Sequence, residues 1–368
     1  MVDDVKSAVT EPDPLFLHNL LVCESHGRAF YFINLKKFAM IAPKPHKEYD
    51  QQLELLLSRG MLVRDSRRAM RKLSQVGYYR LSGFWYTSRI IRPDDSGLPY
   101  RSDEFLEGTS FEQAYDLYLF DKRLRLLMID ALERIEIHIR SIIAHELGRI
   151  HPLAYQNPKF INQRFLNDGD ISTFDKWLSK QTQKIRESRD DCIIWHLQQQ
   201  KQIPFWVVVE TWDFGQMSKY YAMLNGGVQA KIIKRLGLNN NQILVKWLKC
   251  LNLLRNRCAH HSRIWNRRHP AVQIPRNAFF SLLKIDSGAN ERFYSAICII
   301  WYLVRMIGPG SKWIRQVADL FDTKPNMPGC LFSSMGVPET GFPRARFGDA
   351  LGFVNADNEP LQQNTEST

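Results

Sequence analysis

From Thr109 or Ser110 to Gly148 the sequence keeps one helical period, and a helix of that length decides what the chain can fold into. Leu117, Phe120, Leu124, Leu127, Met128, Ala131, Ile135, Ile139, Ile142 and Ile143 recur at three- and four-residue steps and form one continuous apolar stripe. Thr109 or Ser110 supplies the N-cap, and Gly148, with Pro152 close behind, ends the helix. Only other helices can cover so long a stripe. The charged pairs along it, Asp121–Arg125, Glu133–Arg134 and Glu136–Arg140, read as a solvated, ion-paired outer face.

The remaining segments supply those partners. Residues 47–76 read as two short helices broken at Gly60, the second capped by Asp65 or Ser66. Residues 76–90 read as a turn or short strand dense in aromatics, and Pro93–Leu106 as a loop. Helical patterning returns over 172–200 and over 203–236, where Gly226–Gly227 marks a turn. Leu244, Trp247, Leu248, Leu251, Leu254 and Cys258 form the buried stripe of a central helix started by Asn239–Asn241. Asn290–Ile307 and Ser311–Phe321 close the set. The fold class is all-α, a helical bundle with a small N-terminal helical and aromatic subdomain. The expected divisions are an extension over 1–39, the subdomain over 40–108, the bundle over 109–321 and an irregular tail over 322–368. The last dozen residues, polar and acidic, read as disordered.

Composition narrows the function. With 50 Lys and Arg against 38 Asp and Glu, the net charge of +12 favours a polyanion such as RNA over an acidic protein as partner. Aromatic residues make up 12% of the chain and offer stacking faces to a single strand. The six cysteines are scattered without a Cys-x-x-Cys pair, which is reduced, cytoplasmic usage. The first residues lack a basic, apolar leader, and Ala296–Val304, the longest apolar run, is far short of a membrane span. A soluble cytoplasmic protein with no membrane partner is expected.

Two stretches carry candidate chemistry. Arg67, Arg68, Arg71 and Lys72 place cations on one short helix, and Tyr79, Arg80 and Trp85 follow within the aromatic block. As a group they suit an RNA-binding surface, while the aromatics suit equally a staple that holds the region together. The second stretch is LNLLRNRCAHHSRIWN, Leu251–Asn266, at the end of the central helix. Three functions compete for it. Cys258, His260, His261 and His269 could bind zinc, although their spacing matches no standard finger. The cations could cap the helix C-terminus. The third is RNA cleavage. The RNA supplies its own nucleophile, the 2′-hydroxyl. Histidine moves the protons at neutral pH, and arginine holds charge on the phosphoryl oxygens. Asn256 stands one turn before His260 and could fix its tautomer. At roughly 100° per residue, Asn256 and His260 lie about 40° apart, whereas Arg255 and His260 lie about 140° apart. Arg255 and His260 therefore converge only if the helix loosens after Arg255, or if a second copy of the chain supplies the partner. The same spacing recurs at Arg140–His145, inside the long helix.

Four segments together, YYRLSGFWY (78–86), FDKRLRLLMIDALERIEIHIRS (120–141), RNRCAHHSRIWN (255–266) and, more loosely, MGVPE (335–339), resemble the abortive-infection phage-resistance proteins (Abi, AbiD/AbiF-like) of the HEPN superfamily. That resemblance implies a HEPN-type bundle and a metal-independent endoribonuclease without cofactor, usually built across a homodimer. The products would carry cyclic-phosphate and 5′-hydroxyl ends. The family motif falls on Arg255, Asn256 and His260. Arg255 would stabilise the transition state and His260 act as acid and base, with Asn256 orienting it and His261 assisting. The alternative is a non-catalytic RNA-binding HEPN module in a ribonucleoprotein complex. A small RNA or an antitoxin is a further candidate partner. Residues 1–39 have no counterpart in the resemblance.

Overall fold

A computed structural model describes residues 43–349 apart from 287, together with the antiparallel strands β1 (Leu21–Ser25) and β2 (Arg28–Phe32). The rest of the expected extension over 1–39, and the last dozen residues, lie outside the described residues. The chain divides into two compact units, one comprising residues up to Tyr115 with Asn326–Cys330, the other Asp116–Pro325 with everything from Leu331.

In the first unit, α1 (Tyr49–Ser58) ends at Arg59 ahead of Gly60, whose φ is +88°. Asp65 caps α2 (Ser66–Val76) by accepting from the Arg68 N–H at 2.9 Å. Gly77, at φ +89°, then turns the chain into α3 (Tyr78–Trp85). The aromatic block is thus a helix, because burying Leu81, Phe84 and Trp85 on one side needs helical spacing. The segment expected to be a loop is a hairpin of β3 (Arg89–Pro93) and β4 (Pro99–Phe105). Its turn forms because Asp94 Oδ1 accepts from the Ser96 and Leu98 N–H groups, each at 2.8 Å. Residues 326–330 return to this unit as a strap, where the Ser88 hydroxyl donates to the Pro328 carbonyl at 2.6 Å.

The long helix α4 (Phe111–Gly148) is unbroken and starts where expected. Ser110 Oγ accepts from the Gln113 N–H, and Gln113 Oε1 accepts from the Ser110 N–H, both at 3.2 Å. In the second unit its stripe is buried from Leu117 to Ile143 except at Leu127, which is half-buried. Then follow α5 (Thr173–Glu187), α6 (Asp191–Gln198), the short α7 (Phe205–Val208), α8 (Phe214–Met223) and α9 (Gly226–Lys234). Gly226 and Gly227 open α9 instead of making a turn, because Asn225 Oδ1 accepts from the Val228 N–H and caps them into the helix. The central helix α10 (Asn241–Ala259) packs on α8 and α9, and later on α12 (Phe293–Ile307). The five-residue α11 (Ala278–Leu282), α13 (Trp313–Asp322) and α14 (Arg344–Asp349) complete the order.

Every residue of α12 from Phe293 to Arg305 is buried, so the apolar run Ala296–Val304 is the centre of this unit's core. Among the described residues no helix is long and apolar enough to cross a membrane. Among the described residues the regular structure apart from the two hairpins is helical, and the fold is all-α.

Candidate active site

All six apolar residues of the α10 stripe are buried, which fixes the direction of the groups between them. Arg255 and Asn256 emerge half-buried on the other side of the helix, and His260 and His261 stand exposed at its end. The helix closes with a Schellman arrangement. His261 N–H bonds the Cys258 carbonyl at 3.1 Å, and Ser262 N–H bonds the Arg257 carbonyl at 2.8 Å. His261 occupies the left-handed position at φ +57°, where glycine is usual. The helix therefore stays intact through Ala259, and within one chain it does not loosen to bring Arg255 to His260.

Arg255 instead meets a carboxylate from α4. Its Nε lies 3.7 Å from Glu136 Oε2, and Arg140 approaches the other oxygen at 3.8 Å. Arg140 is anchored in turn by the Glu210 and Trp212 carbonyls, at 3.3 and 3.2 Å. Burial pushes the Glu136 carboxyl above its usual range, and the two guanidiniums oppose the shift. A second carboxylate, Asp213, caps α8 and accepts from Lys184 Nζ at 2.9 Å. Although its burial acts upward, bonds from Lys184 and the Gln216 N–H, with the charge of Arg255, hold its carboxyl below the ordinary range. Gly215 leaves room for the cap, since a methyl group on it would sit 3.2 Å from Asp213 Oδ1. The Asn256 side chain faces Arg255, accepting from Nη1 at 3.4 Å, while its backbone carbonyl receives the His260 N–H at 2.9 Å. It aligns the arginine, where the sequence suggested the imidazole.

The segment after the histidines is held by Asp121. Its Oδ1 accepts from the Ile264 N–H at 2.9 Å and the Trp265 N–H at 2.6 Å, and Oδ2 pairs with Arg125. Both partners are buried, as Glu136 is, so these pairs are not the solvated face expected of them. The physical reason is the position of each pair: they lie on the flank of α4 that α10 and its outgoing loop cover. Arg134 pairs with Asp130, at 2.7 Å, and is half-buried. Along α4, a cleft of about 400 Å³ is lined by Ser141, His145, Arg149, Glu210 and Trp206, whose indole is 53% exposed. Of the Arg140–His145 pair, His145 thus lines this cleft, while Arg140 is held by the Glu210 and Trp212 carbonyls.

The four residues weighed as zinc ligands are dispersed in environment. Cys258 is buried, its thiol pushed up to about 12, while His260 and His261 are exposed. The buried His269 ring faces the Pro270 carbonyl with Nδ1 at 2.9 Å and the Arg292 carbonyl with Nε2 at 2.7 Å.

Of the surface proposed on the first unit, Arg67, Arg68, Arg71 and Arg80 are exposed, and Tyr79 is 91% exposed. Lys72 is half-buried, with its ammonium 5.0 Å from the Tyr115 ring centroid. Trp85 is fully buried against Tyr78 and Phe111, so it belongs to the core and not to a stacking surface. Sequence patterning missed Asp121, Glu136, Lys184 and Asp213 as site residues. The one signal for Glu136 was its four-residue spacing to Arg140, which is equally common on solvated helices.

The class is thus an all-α bundle whose central helix delivers arginine, asparagine and paired histidines to a helix end, over buried carboxylates. The chain belongs to the Abi-like protein family, whose model matches residues 71–266, from α2 to the end of the histidine segment. That makes it a protein of abortive infection, a phage-defence response. No curated protein and no solved structure matches it.

Proposed function

We propose that this protein defends against phage as a metal-independent endoribonuclease of the HEPN type, in which Arg255 and His260 act together across a homodimer. The observation that carries the reading is the fixed end of α10, where a carboxylate-anchored arginine and an exposed histidine project from one rigid helix. In the reaction a base takes the proton of the RNA 2′-hydroxyl. The 2′-oxygen bonds to the adjacent phosphorus, the bond from phosphorus to the 5′-oxygen breaks, and an acid protonates that leaving oxygen. An imidazole near neutrality suits the proton transfers. The arginine suits the charge on the non-bridging oxygens, and Glu136 and Asn256 restrict its rotamers beforehand. The unbroken course of α10 to Ala259 supports a pairing in which the histidine that serves a given Arg255 is contributed by a second copy. The neighbouring cleft with Trp206 is a seat for one flanking base.

The exposed arginines of α2, with Tyr79 and Arg80 on α3, favour a second reading, a non-catalytic RNA-binding module. One experiment separates the two. Total RNA is incubated with the protein in EDTA, beside His260→Ala, and the product ends are typed. Cyclic-phosphate ends that disappear in the variant are expected. Cleavage retained by His260→Ala would refute the assignment, and intact RNA bound equally by both proteins, in a salt-sensitive way, would establish the binding module.

A further inference from the structure

A second cavity, of about 440 Å³, is lined by Trp301 and Arg305 of α12, Lys312 and Arg315 at the start of α13, and Phe342 and Phe347 of the C-terminal segment. Its volume is that of an ordinary small-molecule site. Arg305 is the unusual member. It is the only charged residue in the buried helix α12, and it is 7% exposed. Its Nε has no hydrogen-bond partner, and among the described residues no carboxylate acts on its guanidinium. Its guanidinium lies over the Trp301 ring, 5.5 Å from the centroid. Burial lowers its affinity for its proton, with no carboxylate acting in the opposite direction. Among the described residues no Asp or Glu lines the cavity. Arg344, which also reaches it, is already matched by Asp319 and Asp322. Lys312 and Arg315 are exposed and have no acidic partner among the described residues.

Arg305 has its Nε buried without a partner, an arrangement that carries a desolvation cost, and a methionine or leucine would fill the same place in α12 without it. The arrangement makes physical sense when an anion completes it. The aromatic walls specify the rest of the ligand, since Phe342 and Phe347, which line the same cavity as Arg305, stack at 5.1 Å with 16° between their planes. We propose that this cavity binds a small aromatic anion, its phosphate or carboxylate on Arg305 and its ring among Trp301, Phe342 and Phe347. The site is separate from the α10 site and does not depend on RNA cleavage.

The test uses the full chain and a fluorescent aromatic anion, anilinonaphthalene sulfonate, with its uncharged analogue N-phenylnaphthylamine as control. Saturable binding of the sulfonate at one site per chain is expected, and Arg305→Met should weaken it about tenfold or more while leaving the analogue unaffected. Without ligand, Arg305→Met should melt higher than the parent, because an unmatched buried charge has been removed. Should that variant not fold, Arg315→Ala, at an exposed position, is expected to weaken the sulfonate about threefold with no change in melting. Competition by adenosine monophosphate would identify phosphate as the natural anion, and competition by benzoate alone a carboxylate. Equal sulfonate binding by parent and Arg305→Met, or a lower melting point for the unliganded variant, would overturn the proposal.

Discussion

Asp121 shows how much a single carboxylate can organise. It receives two backbone N–H groups from the segment after the histidines and pairs with Arg125, all within the protein interior. Asp121→Ala strands a buried guanidinium and two N–H donors, for which a loss of about 3–5 kcal/mol is expected in a denaturant titration. Asp121→Asn keeps an acceptor for the N–H groups, so it should lose clearly less; equal losses would show that the loop bonds contribute nothing. Glu136 carries a pH signature. Its carboxyl titrates higher in the folded protein than in the unfolded chain, so the folded state holds the extra proton between those two values. The resulting stability is complete below the unfolded value and is lost as pH rises through the folded one. Melting temperatures measured across that window should fall less steeply in Glu136→Gln than in the parent. Neither role was legible in the sequence. Asp121–Arg125 and Glu136–Arg140 have the spacing of solvent-facing helix pairs, and the fact that decides otherwise is the approach of α10, a long-range contact that local spacing does not encode.

At the scale of elements, long periodic segments were legible and short ones were not. The stripes of α4 and α10, and the apolar block of α12, declare their buried sides by repetition. Over α3 and the hairpin after it, eight and seven residues provide too few periods to distinguish a helix from a turn or a strand from a loop. The end of α10 was half legible: the polar residues announced a terminus, but His261 in a left-handed conformation has no sequence signature. That conformation costs a non-glycine residue about 1 kcal/mol, so His261→Gly should stabilise the protein by about that amount in thermal or chemical denaturation. The strap is bound more tightly than its length suggests. Gly329 has a φ of +74°, and a methyl group there would lie 2.2 Å from the Thr87 carbonyl oxygen. Gly329→Ala is expected to cost about 2 kcal/mol or more, read as a lowered denaturation midpoint.

For the whole molecule, the decisive question is whether the site is shared. If Arg255 of one copy works with His260 of another, Arg255→Ala and His260→Ala proteins are each inactive, yet their mixture contains heterodimers with one intact pair. A one-to-one mixture should recover about a quarter of the parent cleavage rate. A mixture as inactive as its components would exclude the shared arrangement. The all-α class and the placement of the motif at the end of a buried helix followed from patterning alone. The carboxylates behind the motif and the unmatched Arg305 did not, because both arise where helices distant in the chain converge.

The bonds from Asp121 to Ile264 and Trp265 also set a schedule. Their partners are separated by 143 and 144 positions, so a ribosome that has made α4 must still synthesise most of the bundle before the anchor is filled. Contacts of such high order form late, after the entropy of the intervening loop has been overcome. The end of α10 is therefore held in place only after Ile264 and Trp265 have been made, long after α4 itself has left the ribosome.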